Sequence, residues 1–330
     1  MPWELWAGIK GPHRITPHAR RMVVLAGSGC SFDEASRNLE ELSHVQVSND
    51  VVRRVCDEEG QVVRKWIRSS PEPKKAFDAA RGAVEFSTDG LSVNTIDGWR
   101  EIRQSVISKR QPALPAKPAQ WDQRVLEPPT VRLAVCAIAH CDLIGAGWAR
   151  LVELLGLPDG LEMSVIADGA KWIWDQAAQR FKKQNAQWVV DVYHVMLYLF
   201  AAAAALGSGE AEKWVHARVI ELIERGGPGF IEHLQSTGPP DGSPGTAQAW
   251  AKLLNYLNEN KDSLWYGQRL EKGLPIGSGL IEGGGKNTLA RRLKINSARW
   301  RIRRAENMGA IRCLQYSGLW ETYWQSKRAA

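Results

Sequence analysis

The chain predicts an α/β fold, a mixed β-sheet flanked by helices, preceded by a helical N-terminal segment and split by an all-helical insertion. Three observations carry this expectation. Between Gly82 and Ala139 runs rich in Val, Ile and Thr alternate with turn residues. From Glu162 to Leu206 short apolar runs alternate with helical patterns. Residues 208 to 265 then read as helix throughout, broken only by the Gly/Pro-rich "STGPPDGSPGTAQ".

Residues 16 to 66 read as short helices. Ser31 followed by Glu34 forms a capping box that opens Phe32 to Leu42, with Ala35, Leu39 and Leu42 on one face. Ser48 caps a second helix carrying Val51, Val52 and Val55, and the short link between the two predicts a helix-turn-helix-like hairpin. "AVEFSTDGLSVNTI" and "WREIRQSVISKR", with their Asp-Gly pairs, predict a strand, a turn and a returning strand. Five prolines between Gln111 and Pro129 predict an exposed loop. "TVRLAVCAIA" supplies a third strand, and "LIGAGWARLVELLGL" a helix ended by Gly156 and Pro158. "EMSVIADG", "AKWIWDQAAQRFKK", "AQWVVDVYH" and "VMLYLFAAAAALG" follow as strand, helix, strand and helix.

The composition is that of a globular protein, with 44% hydrophobic and 24% charged residues. No apolar run reaches the ~18 residues of a membrane span, and no signal pattern opens the chain. A soluble, cytoplasmic protein is therefore expected, nucleoid-associated when bound to DNA. Five scattered cysteines suit a reducing compartment. Cys136, His140 and Cys141 lack the second ligand pair of a structural zinc site, so packing thiols are the preferred reading. The 15 tryptophans are expected to serve packing, Trp172 and Trp174 included.

Charge is unevenly distributed. The net charge is +7, yet from Gly283 onward 11 Lys and Arg face 2 acidic residues, or +9, which leaves 7 − 9 = −2 for the rest. Arg291, Arg292, Lys294, Arg299, Arg301, Arg303 and Arg304 form the kind of cluster that neutralises phosphates. A solvated helix face is the competing explanation.

Three meandering strands, a helix, a strand, a helix and a strand, followed after an insertion by another helix, is the order of the ribonuclease H-like fold. Asp89, Asp168 and Glu282 fall where that fold places acids, on the first strand, at the end of the fourth and on a late helix. Their gaps are 168 − 89 = 79 and 282 − 168 = 114 residues, so only folding can gather them. Gathered carboxylates repel unless a cation neutralises them or a proton is taken up. Two hard divalent ions meet that need and suit in-line phosphoryl transfer. Singly each acid is weak evidence, since Asp-Gly commonly marks a turn and a Glu commonly opens a helix.

Four ordered blocks give the acids their company: "STDG" around Asp89, "IADGAKWIWD" from Ile166, "DVYHV" from Asp191, and "PIGSGLIEGGGK" from Pro275 to Lys286, which continues into "RRLKINSARW". Together they resemble the insertion-sequence DDE transposases of the ISKra type, relatives of the Mutator-like transposases. The likeness spans about Ala83 to Leu314 and is weaker over the N-terminal helices. It implies a ribonuclease H-like core in two parts (81–194 and 271–330) and a helical insertion (195–270), while the helical hairpin within 1–80 reads either as a helix-turn-helix-like DNA-binding segment or as a packing unit. It also implies catalysis and metal binding by Asp89, Asp168 and Glu282 with two Mg2+ or Mn2+ ions. The Asp-x-x-His motif falls on Asp191 and His194, near the end of the fifth strand, where His194 would contact the scissile phosphate, orient DNA or simply sit satisfied in the core.

Lys286, four residues beyond Glu282, would share its helical face and reach a DNA phosphate. Gly277, Ser278 and Gly279 would allow a sharp turn, with Ser278 as the cap. Arg291 and Arg299 are the further candidates for DNA contacts, with Arg292, Arg301 and Arg303 close behind. The resemblance implies double-stranded DNA partners, terminal inverted repeats and target, and a homo-oligomer on DNA, with no membrane and no organic cofactor. Relatives often carry a longer N-terminal region, so part of the end-recognition module is expected to be missing. Two other functions fit the same residues: a catalytically silent DNA-binding protein derived from a transposase, and a ribonuclease H-like repair or junction nuclease.

Overall fold

The computed structural model describes residues 15–240, 243–295 and 297–329. Four helices come first: α1 (Pro17–Gly29), α2 (Phe32–Ser43), α3 (Asn49–Ser69) and α4 (Glu72–Ala79). The expected caps are present. Ser31 Oγ accepts from Glu34 N at 3.1 Å, and Ser48 Oγ from Val51 N at 3.3 Å. Ala35, Leu39, Val52 and Val55 are buried as their spacing predicts, whereas Leu42, one residue before the end of α2, is 83% exposed. The helix after Ser48 is not short but runs 21 residues. The first 14 residues of the expected N-terminal segment lie outside the described residues.

β1 (Ala83–Thr95) and β2 (Gly98–Arg110) form one long antiparallel hairpin. Asp89–Gly90 does not turn the chain; β1 continues through it, and the reversal comes at Ile96–Asp97, with Gly98 at φ +88°. β3 (Val131–Ala137), α5 (Cys141–Leu155), β4 (Glu162–Ala167), α6 (Lys171–Arg180) and β5 (Asn185–Val190) follow as the patterning predicts. Gly156 ends α5 in the left-handed region, at φ +61°. The five strands make one mixed sheet in the order β3-β2-β1-β4-β5. β2 is antiparallel to both its neighbours, and β1, β4 and β5 are mutually parallel.

Side-chain alternation along β4 divides two hydrophobic cores. Met163, Val165 and Ala167 enter the core shared with the N-terminal helices, whereas Ile166 enters the core of the helical insertion. In the first core Trp148 packs on Phe86 and Phe181, ring centroids 5.0 and 6.1 Å away, and donates its indole N–H to Ser105 Oγ at 2.8 Å. The second core is built by α7 (Val192–Ala202), α8 (Ser208–Thr237), α9 (Pro244–Glu259) and α10 (Tyr266–Glu271). Gly226, at φ +69°, kinks α8 two residues before Pro228. The proline-rich loop is largely exposed but not free: Trp121 is buried in this second core, and Ala113 N donates to Gly273 O at 2.9 Å.

After the insertion the chain forms α11 (Gly279–Gly284), a π-helical stretch (Gly285–Ala290) and a last turn (Arg291–Leu293). α12 (Ile302–Tyr316) and α13 (Trp320–Ala329) end the described structure. α12 docks on α3 so closely that a Cβ at Gly60 would stand 2.4 Å from Asn307 O. Glu59, fully buried on α3, is held by Arg20 (2.5 Å), Lys327 (2.5 Å) and the Tyr323 hydroxyl, so one carboxylate ties α1 and α13 together. Among the described residues no helix is long and apolar enough to cross a membrane.

Burial alone would raise the Glu59 carboxyl, but Lys327, Arg20 and Tyr323 outweigh it and hold it below its ordinary 4.5. Glu59→Gln breaks a buried ion pair and is expected to cost about 3 kcal/mol in urea unfolding at neutral pH. The native state binds this proton less readily than the unfolded chain, so the contribution is fully present above pH 4.5 and is lost as pH falls through the depressed native value. The stability gap between wild type and Glu59→Gln therefore narrows in acid. A gap independent of pH would contradict this account.

Candidate functional site

The parallel register places three acids in one row. Ser87 pairs with Ile166, and Ile166 with Val189. Two residues further along each strand direction stand Asp89, Asp168 and Asp191. The ladder continues past the strand ends, where Asp191 N donates to Ala167 O at 2.8 Å. Each carboxylate is then oriented locally. Asp89 Oδ1 accepts from Gly90 N at 2.7 Å, Asp168 Oδ1 from Ala170 N at 2.8 Å, and Asp191 Oδ1 from Tyr193 N at 2.9 Å.

Asp191 is completely buried and begins α7 as its N-cap. Its Oδ2 faces His194 Nδ1 at 3.4 Å and accepts a hydrogen bond from the Ser278 hydroxyl. Ser278 thus occupies the first position before α11, as expected, but makes no side-chain cap bond. Its hydroxyl serves Asp191 instead, 87 residues away. Gly277 lies close to Tyr193: a Cβ there would stand 2.8 Å from its ring, which would have to shift. At Gly279 a Cβ would meet nothing within 4 Å.

Docking this segment brings Glu282 to the strand ends. Ligand atoms of Asp191, His194 and Glu282 lie within 4.8 Å of one another, an arrangement able to hold a metal ion. Asp89 and Asp168 are not members of that tight group but lie beside it, and their charges are felt there. Burial raises the Asp89 carboxyl above its ordinary value, and the neighbouring Asp168 raises it further. Burial also raises Glu282, with Asp191 adding to it and His194 and Lys286 opposing. The His194 imidazole is raised chiefly by its bond to Asp191, against burial, with Asp168 and Glu282 assisting. For Asp191, burial is outweighed by the bonds from His194, Ser278 and Tyr193 N, and its carboxyl is held low.

Among the described residues no lysine or arginine forms a salt bridge with Asp89, Asp168 or Glu282. Lys286 is exposed and acts on Glu282 only through space. The helix has begun by Gly279, but Lys286 lies in its π-helical stretch, so the four-residue α-helical spacing assumed from sequence does not hold. The donor set, carboxylate oxygens with one imidazole and no thiolate, suits a hard or borderline divalent cation. A second group, His140, Cys141 and Asp142, comes from three consecutive residues at the start of α5, with His140 and Asp142 exposed. Cys56 and Cys313 are buried thiols as expected, while Cys30, Cys136 and Cys141 are half-buried.

The basic segment divides between surface and interior. Arg291, Arg299, Arg301 and Arg303 are exposed, and Arg303 donates to Gln61 Oε1 at 2.8 Å. Arg292, expected among the DNA-contacting neighbours, is only 2% exposed; its guanidinium lies 4.5 Å from the Phe32 ring centroid and 4.9 Å from that of Trp300. Trp172 and Trp174 pack: Trp172 lies against Trp148, and Trp174 donates to Asn260 Oδ1 at 3.0 Å. Tyr256, in the insertion, was not legible as a site residue. Its hydroxyl donates to the Asp168 carbonyl at 2.6 Å across 88 residues, and no local pattern marks such a contact.

Ser278→Ala leaves a buried Asp191 oxygen one donor short. It is expected to lower stability by about 1–2 kcal/mol in denaturant unfolding, and an unchanged midpoint would contradict the role given to this hydroxyl. No protein-family model matches the chain, and no curated protein matches it.

Proposed function

We propose that the protein is a DDE-type DNA transposase with a ribonuclease H-like core, cutting and joining DNA at the ends of an insertion sequence. The observation that carries this reading is that Asp168 and Asp191, each just past the end of its parallel strand, and Asp89, two residues past the last β1–β4 pair, come to one end of the parallel strands, with Glu282 and His194 grouped with Asp191. The sheet order and the position of the helical insertion support the fold. The resemblance of the four sequence blocks to ISKra-type transposases supports the chemistry.

Four carboxylates share one end of the sheet with one imidazole and one nearby lysine. That excess of negative charge favours divalent cations at Asp89, Asp168 and Glu282, with Asp191 and His194 completing the donor set. Mg2+ or Mn2+ bound there supplies activation of an attacking water or 3′-hydroxyl and stabilisation of the leaving oxygen. The chain's own groups do the positioning. Gly90 N and Ala170 N orient Asp89 and Asp168, and Tyr256 fixes the backbone that carries Asp168. Asp191 faces His194 Nδ1 and orients the ring; protonated, His194 would point its other ring N–H toward a phosphate oxygen, and only after losing that proton would the same nitrogen ligate a cation. Lys286, exposed and felt by Glu282 through space, would be the cation offered to a DNA phosphate.

Purified protein is expected to cleave and join duplexes bearing the element's terminal repeats in Mg2+ or Mn2+. Asp89→Asn, Asp168→Asn and Glu282→Gln should each lower the rate by at least about a thousandfold, because each removes electrostatic stabilisation of the transition state. His194→Ala should lower it without abolishing it. Full activity in the three carboxylate variants overturns the assignment. Metal-independent binding without cleavage would identify a DNA-binding derivative, and cleavage confined to branched DNA a junction nuclease. Mn2+ binding, followed by electron paramagnetic resonance, should weaken in Glu282→Gln and stay unchanged in His140→Ala.

A further inference from the structure

A second feature lies at the far end of the β1–β2 hairpin. A cavity of about 380 Å3 opens between the start of α2, the middle of α3, the hairpin turn at Ile96 and the segment from Arg292 to Arg304. Its size is that of a small-ligand pocket rather than a packing defect. Five arginines line it, Arg53, Arg292, Arg299, Arg301 and Arg304, against one acid, Asp57, a formal +5 − 1 = +4. Asp57 is already engaged, accepting from Asn307 Nδ2 at 2.7 Å and standing 3.6 Å from Arg304 Nε.

The two inner arginines are incompletely satisfied. Arg292 spends its Nε on Gly27 O at 2.8 Å, while its Nη2 is buried with no hydrogen-bond partner among the described residues. No carboxylate pairs with it among those residues. The titratable groups it feels are the Cys56 and Cys30 thiols and the Arg312 guanidinium; burial pushes Cys56 up to about 12 and also raises Cys30, so none brings a negative charge at neutral pH. Arg53 is paired with Asp50 through Nε and Nη2, yet its Nη1 is likewise buried and unpartnered. A buried guanidinium normally has its donors satisfied or faces an anion. At the rim Arg299 and Arg301 are exposed, and their guanidinium groups make no hydrogen bond or ion pair among the described residues.

We infer that this cavity is a phosphate-binding pocket, in which Arg53 and Arg292 hold the anion from within and Arg299 and Arg301 close over it from the rim. Resting on the transposase reading, its occupant is a backbone phosphate of the DNA that also reaches the carboxylate cluster. The seven residue steps from Asp89 on β1 to Ile96 in the turn span roughly 23 Å at about 3.3 Å each. That is about seven base pairs of duplex at 3.4 Å per step. One helix lying along the hairpin can therefore meet both places.

The test uses the full chain and a variant carrying Arg53→Gln and Arg299→Ala, which leaves the buried Arg292 in place. Inorganic phosphate, compared with chloride at matched ionic strength, should raise the unfolding temperature of wild type and not that of the variant. For a short duplex of arbitrary sequence, the variant should bind about tenfold more weakly, and the slope of log affinity against log salt should fall by about 0.9, one phosphate contact. Wild-type responses to both probes in the folded variant would overturn the pocket. A wild type that answers to phosphate but binds no duplex would keep the pocket and reject DNA as its occupant. Asp168→Asn, expected to lose cleavage, should retain the phosphate response and the salt slope, so failure of the chemistry is separable from failure of the pocket.

Discussion

One buried carboxylate decides whether this site exists. Asp191 directly follows β5, caps α7, faces His194 and accepts from Ser278 in the segment that carries Glu282. A fully buried carboxylate is costly unless its oxygens are all engaged. Here the partners come from two parts of the chain 87 residues apart, so satisfying that charge and docking the Glu282 helix are the same event. The helical insertion contributes as well, since Tyr256 and Tyr266 bond the carbonyls of Asp168 and Val190 and brace the two strand ends from outside the sheet.

Charge is sorted along the hairpin. Carboxylates collect where β1, β4 and β5 run parallel, and arginines collect around the turn at its other end. The separation reflects how the C-terminal segment is laid down: the helix beginning at Gly279 delivers Glu282 to the strand ends, and the chain then returns beside the turn, where Trp300 N bonds Asn94 O and Ile96 N bonds Trp300 O. Not all of the positive charge reaches solvent. Arg292 is a buried, ring-stacked side chain held by Phe32, Trp300 and Gly27 O, with one guanidinium nitrogen left without a partner among the described residues.

Much of the fold was legible in local pattern. Ser31 and Ser48 cap as read, the β4 and β5 runs form strands, and Gly156 stops α5, because each of these depends on neighbours within four residues. Asp89–Gly90 was ambiguous for the same reason. An Asp-Gly pair favours a turn, yet thirteen cross-strand pairs with β2 keep β1 extended through it. Asp89, Asp168, Asp191, His194 and Glu282 were named from ordered motifs, and the structure brings them to one end of the sheet. The tighter grouping of Asp191 and His194 with Glu282 could not be read beforehand, because it depends on the Ser278 hydroxyl leaving its own helix terminus for Asp191.

By itself the sequence determined the types and order of the five strands and the helices between them, the acid-bearing motifs and the imbalance of charge after Gly283, since all of these follow from composition and short-range spacing. Only the tertiary structure decided which acids became neighbours, which way Ser278 donates, how Tyr256 reaches Asp168 and which arginines are withdrawn from solvent. Those outcomes rest on contacts between residues tens to hundreds of positions apart, and their energies come from burial and strand register, neither of which a local pattern contains.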